Sequence, residues 1–170
     1  MMSIQKQHKT WRVLITKPKF EKKVAAQLNQ LGIESYCPIR TEIRQWSDRK
    51  KKIEVPLLPS MILVNVDEIE RTMVFDVLGV RRFLFWLGKL AKVSPEEVEA
   101  LKMIEEQKYQ SLSVEPMQVG NTIDLKDFGM QFGKGIIKKV SKQQCWVVLH
   151  SLGYVIKLKL EKPKPVKEYT

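Results

Sequence analysis

Residues 10–32 run TWRVLITKPKFEKKVAAQLNQLG, and the order of apolar positions in this stretch decides the fold class. Thr10–Thr16 is β-branched and aromatic and is bounded by Lys17-Pro18-Lys19, so it reads as a strand. Phe20, Val24, Leu28 and Leu31 then recur at helical spacing, and Gly32 suits the left-handed position after a helix end. A strand therefore feeds a helix whose outer face is rich in lysine.

The pattern continues outward. Residues 33–39 read as extended and run on through Arg40–Trp46. Ser47-Asp48-Arg49-Lys50-Lys51-Lys52 breaks the pattern before Ile53-Glu54-Val55, which predicts a β-hairpin with four consecutive cations at its tip. Pro56-Leu57-Leu58-Pro59-Ser60 leads into Met61–Val66, an apolar run suited to a central strand buried on both faces. Residues 67–78 read as a short helical stretch ended by Gly79, and 80–87 as another strand. Ser94-Pro95-Glu96-Glu97 is a helix start, with Ser94 as cap, Pro95 in the first turn and Glu97 closing a capping box. Val98, Leu101 and Ile104 make that helix's inner stripe. The order β-α-β-β-β-α-β-α predicts an α+β sandwich over residues 10–108.

After Lys108 the character changes. Tyr109–Pro116 loses periodicity and ends in proline, which predicts a linker over 109–116. Glycines then fall at 120, 129, 133, 135 and 153. Between them lie short runs of strand character at 122–125, 135–140, 145–149 and 154–158, which predict a small β-barrel over 117–160 with Trp146 as the bulk of its core. Residues 161–170 are charged, proline-containing and expected to fray.

Thirty Lys+Arg against nineteen Asp+Glu leave a net charge of +11 in 170 residues. That surplus favours polyanionic partners, nucleic acid or an acidic protein face before membrane. The apolar run Phe83–Leu87 is far short of the roughly 20 residues of a membrane span. Residues 1–11 have no apolar core and are no secretory signal. A cytoplasmic chain is the expectation. Cys37 and Cys145 form neither a metal pattern nor a disulfide framework, and His8 and His150 have no ligand-spaced partners. No GxSxG, HExxH, CxxC or phosphate-binding loop occurs. Gly133-Lys134-Gly135 enters a strand, so it presents no helix N-terminus to phosphate. A binding protein without cofactor, metal or catalytic residues is expected.

Several separated motifs resemble one family. Trp11–Ile15 with Phe20-Glu21 and Val24-Ala25, then Pro56–Val64, then Gly79–Leu84, are similar to the NusG N-terminal domain. Val119-Gly120-Asn121 and Gly133–Ile137 resemble the KOW module that follows it, although Gly129-Met130-Gln131-Phe132 replaces the usual Gly-Pro-Phe there. The resemblance implies an antiparallel sheet sandwiched by helices, then an SH3-like barrel. It also implies a non-enzymatic, monomeric factor that rides on RNA polymerase, docking on the β′ clamp helices, bridging to the β subunit and suppressing pausing or termination. The barrel would engage a ribosomal protein or the termination helicase. Tyr36-Cys37-Pro38, Trp46–Lys52 and Pro56–Ser60 resemble the UpxY side of the family, antiterminators of surface-polysaccharide operons. The general elongation factor, a ribosome-associated RNA-binding protein and an enzyme without a familiar motif stay open as alternatives.

The resemblance further implies site residues. Clamp docking falls on Ile15, Leu58, Pro59, Met61 and Leu63. Strand alternation divides this segment, giving Met61 and Leu63 one face and Ile62 and Val64 the core. Contact with displaced non-template DNA, or with nascent leader RNA, falls on Lys17, Lys19, Lys22 and Lys23, with Gln27 one turn on. Arg49, Lys50, Lys51 and Lys52 at the hairpin tip are placed to reach upstream duplex, or else form a solvated loop.

Overall fold

A computed structural model describes residues 8–86, 88–106, 109–116, 131–132, 137–139, 144–149 and 154–160. The chain divides into two units, 1–105 and 106–170.

In the first unit, β1 (Thr10–Thr16) runs into α1 (Glu21–Gln30), followed by β2 (Glu34–Tyr36), β3 (Ile39–Gln45), β4 (Lys50–Pro56) and β5 (Met61–Val66). A short helix α2 (Glu70–Met73) and a 3-10 turn (Val74–Asp76) lead to β6 (Val80–Phe83), β7 (Phe85–Trp86), β8 (Lys89–Leu90), β9 (Lys92–Val93) and α3 (Pro95–Glu106). The main sheet has the order β2-β5-β1-β6, with β9 also on β1, and its pairings are antiparallel. The hairpins β3–β4 and β7–β8 stand as separate two-stranded sheets. The expected single strand over 80–87 is thus two short ones, in different sheets.

Both faces of the main sheet are buried, and register explains how. Leu14 pairs Ile62 and Arg12 pairs Val64, so these side chains share the face that α1 covers. There Leu14, Ile62 and Val64 pack in one core with Val24, Ala25, Leu28, Ile33, Val74 and Phe83. Val13 pairs Leu63 and Ile15 pairs Met61 on the opposite face, which Tyr36 joins through its pairing with Leu63. Helix α3 lies on that side. Lys102 sits 5.9 Å from the Tyr36 ring centroid, and the Glu105 carboxylate accepts from the Ile39 N–H at 2.6 Å. The inner stripe of α3, Val98, Leu101 and Ile104, is buried as expected. Each fully buried leucine or isoleucine of this kind contributes about 1.5–3 kcal/mol relative to exposure. The capping box is present: Ser94 Oγ accepts from the Glu97 N–H at 3.2 Å, and the Glu97 carboxylate accepts from the Ser94 N–H at 2.8 Å.

The second unit contains β10 (Tyr109–Pro116), β11 (Gln131–Phe132), β12 (Ile137–Lys139), β13 (Gln144–Leu149) and β14 (Tyr154–Leu160), in the order β10-β14-β13-β12-β11. This overturns the expected linker at 109–116. Leu112 pairs Leu158 and Val114 pairs Ile156, so the segment is a full member of the sheet. Its own alternation, Leu112-Ser113-Val114, is the strand signal; its partner lies more than forty positions away. The strands expected over 145–149 and 154–158 are found, and Trp146 stands in register between Lys138 and Lys157. The strand expected at 122–125, the motifs at 119–121 and 133–136, and the tail 161–170 lie outside the described residues.

Candidate functional site

The five expected docking residues do not form one exposed patch. Leu58 and Leu63 are fully buried, and Met61 keeps only 9% exposure. Ile15 is half-buried and Pro59 exposed. The expectation for Leu58 and Leu63 is corrected. Leu63 lies in the middle of β5, where the second face is enclosed as well as the first. Leu58 closes a tight turn in which its carbonyl accepts from the Met61 N–H at 3.2 Å. Apolar surface at this edge comes instead from Ile15 and Pro59, with the rim of Met61.

The basic residues at the start of α1 stand on a turn held by two other turns. The Thr16 N–H donates to the Ser60 carbonyl at 2.9 Å, and the Lys17 N–H donates to the Gly79 carbonyl at 2.8 Å. The Glu21 carboxylate is buried and accepts from the Ser60 N–H at 2.7 Å. Ser60 and Lys19 both take positive φ, 60° and 68°, conformations L-residues occupy only when their surroundings impose them. Gly79, at φ +102°, lies so close to Phe20 that a Cβ there would meet its ring at 2.6 Å. Glu21 and Gly79 thus position the turn, and neither was singled out for that role from sequence. Glu21 reads there as an ordinary first-turn acid, and its partner Ser60 is distant in the chain.

Lys17 and Lys19 on this turn and Lys23 in the first turn of α1 are exposed, Lys23 with its ammonium 5.8 Å from the Phe20 ring centroid. Gln27 is half-buried one turn further along α1. Lys22 is engaged differently. Its ammonium donates to the Glu54 carbonyl at 2.9 Å and lies 3.7 Å from the Glu54 carboxylate, tying α1 to β4. An exposed pair of this kind adds little stability, but it occupies the lysine.

The second basic group lies on the β3–β4 hairpin. The strand resumes at Lys50, so Lys50, Lys51 and Lys52 belong to β4, and the turn itself is Trp46–Arg49, closed by the Trp46 N–H donating to the Arg49 carbonyl at 2.8 Å. That corrects the expected six-residue break. Register puts Arg44 opposite Lys51 and Gln45 opposite Lys50, so the cations project from both faces. Glu42 accepts from Arg40 at 2.7 Å and from Arg44 at 3.4 Å. Among the described residues, Arg49, Lys50, Lys51 and Lys52 enter no ion pair.

Two half-buried groups near α3 are titration-shifted. Burial, then the neighbouring Glu105 carboxylate, push the Tyr36 phenol above its ordinary value. Burial, then Glu21, push the Cys37 thiol up to about 12. Both stay neutral at physiological pH. Among the described residues there is no group of His, Cys, Asp and Glu able to hold a metal ion, and no helix long and apolar enough to cross a membrane.

The first unit is thus a sheet with helices packed on it, with exposed cations beside the start of α1 and along the β3–β4 hairpin. Residues 9–102 match the family model described as transcription termination factor NusG, and the chain belongs to the NusG family. Among solved structures it is similar to one described as domain interaction in Thermotoga maritima NusG, at 19% identity and a TM-score of 0.45, over 90% of this chain and 93% of that one. No curated protein matches the chain.

Proposed function

We propose that this chain is a non-enzymatic transcription elongation and antitermination factor that docks on RNA polymerase and contacts displaced non-template DNA or nascent leader RNA. The observation that carries the nucleic-acid part is the junction of β1 and α1, where Lys17 and Lys19 on the turn and Lys23 in the first turn of α1 are exposed beside a backbone fixed by the Ser60, Gly79 and Glu21 hydrogen bonds. A turn already fixed in its backbone need not be ordered when its cations meet phosphate, and Gln27 beside them offers an amide to a base edge. Ile15, Pro59 and the rim of Met61 are the apolar contact for the β′ clamp helices, with the β subunit bridged beyond it. The region over 117–160 acts as a KOW barrel that recruits a ribosomal protein or the termination helicase. Trp46–Lys52 and Pro56–Ser60 favour an operon-specific role at polysaccharide genes. The factor works as a monomer in the cytoplasm without cofactor.

The test is a pair of binding curves, to polymerase core and to a scaffolded elongation complex. Lys17→Ala with Lys23→Ala weakens binding to the elongation complex and leaves binding to core, which lacks a displaced strand, nearly unchanged. If four to six phosphates are neutralised, the log–log salt slope is roughly −3 to −5. Equal losses on both targets withdraw the nucleic-acid role.

A further inference from the structure

A tryptophan half out in solvent at a hairpin turn serves no core. Trp46 is 53% exposed, yet it is held in place. Its backbone N–H donates to the Arg49 carbonyl, the Gln45 side-chain amide donates to its backbone carbonyl at 3.0 Å, and the Lys51 ammonium lies 5.6 Å from its ring centroid. Arg44 pairs Lys51 across the hairpin and so shares that face. Over residues 39–56 the cations are Arg40, Arg44, Arg49, Lys50, Lys51 and Lys52, against Glu42, Asp48 and Glu54. Glu42 already takes Arg40 and Arg44, which leaves the uncompensated charge at the turn end, around the indole.

We propose that this turn is a single-stranded nucleic-acid site, in which an unpaired base stacks on Trp46 while Arg49 and Lys51 meet the phosphates beside it. It rests on the polymerase-factor reading only for the source of the strand. Charge complementarity selects a polyanion, and the indole selects among polyanions. A duplex buries its base faces in its own stack and offers the ring nothing, whereas an unstacked base offers a π-face of any sequence. The site is therefore distinct from phosphate contact with upstream duplex, which needs the cations and not the ring.

The experiment measures fluorescence anisotropy of the full chain with labelled thymidine and uridine homopolymers and with a duplex of equal length, at two salt concentrations. Trp46→Ala weakens single-strand binding by about 5- to 150-fold, the range that base stacking on an aromatic side chain contributes. It leaves duplex binding and the salt slope unchanged, and Trp46→Tyr restores most of the loss. A loss on either homopolymer supports the site, and the larger of the two identifies DNA or RNA as its strand. Arg49→Ala with Lys51→Ala lowers the salt slope on all three probes. Equal loss on duplex and single strands, or full retention by Trp46→Ala, overturns the proposal. If wild type binds polymerase but no oligonucleotide, this site fails and the polymerase reading stands. If single strands bind through Trp46 and polymerase does not bind, the reverse holds.

Discussion

Gly79→Ala probes the construction of the lysine-bearing turn more directly than changing the lysines does. Gly79 has φ +102°, and its carbonyl accepts from the Lys17 N–H. An added Cβ would stand 2.6 Å from Phe20 Cδ1 and 3.1 Å from Phe20 Cβ. The ring can rotate, but its Cβ moves only if the start of α1 moves with it. Gly32 supplies the control, since it also has positive φ, +81°, while a Cβ there meets nothing within 4 Å. Gly32→Ala thus loses only the backbone term, about 1–2 kcal/mol. Gly79→Ala adds the displacement of a packed side chain, about 1–3 kcal/mol, for roughly 2–5 kcal/mol in all. Hydrogen exchange of the slowest β1 and β5 amides reads the opening of the first unit without requiring the whole chain to unfold in one step. Gly79→Ala should accelerate those amides well beyond Gly32→Ala. Equal acceleration by the two substitutions would refute the reasoning, because Phe20 would then be free to give way.

Two further outcomes follow from burial. Leu63→Ala should destabilise the first unit by about 2–5 kcal/mol, measured by the same exchange, because it empties a fully enclosed site in β5; a variant of unchanged stability that fails to bind polymerase would return Leu63 to a docking surface. In a Cys145→Ser background, Cys37 should react with a thiol reagent at pH 8 far more slowly in the folded than in the urea-unfolded chain, since its thiol ionises only near 12 against an ordinary 9.0. The same shift has a sign for stability: above pH 9 the unfolded thiol has lost its proton while the folded one keeps it, so the stability contributed by the buried thiol falls as pH rises from 9 to 12.

Much of the candidate site was legible because its signals are local. Lys17, Lys19 and Lys23 stand beside a proline-interrupted strand end and the start of an amphipathic helix, and both elements form where the periodicity of residues 10–32 puts them. The Ser94–Glu97 capping box is likewise complete within four residues. What misled was read locally but decided at a distance. Lys50–Lys52 look like a loop because no apolar residue punctuates them, yet pairing with Ile43–Gln45 carries the strand through them, and a two-stranded hairpin with solvent available to both faces tolerates lysine on each. Lys22 looks equivalent to Lys23 until the hairpin brings Glu54 against it.

The sequence by itself determined most elements of the first unit, because alternation and helical spacing specify strand and helix locally, and it fixed the cationic surplus. The tertiary structure alone decided which apolar residues are available. Leu58 and Leu63 carry the same side chain as any docking leucine, and only the packing around them shows that both are enclosed; beside Leu63, Tyr36 on the neighbouring strand carries Lys102 of α3 against its ring. It also decided that Tyr109–Pro116 is a strand, because a β-ladder is satisfied by hydrogen bonds from β14, and no local pattern names a partner so far along the chain.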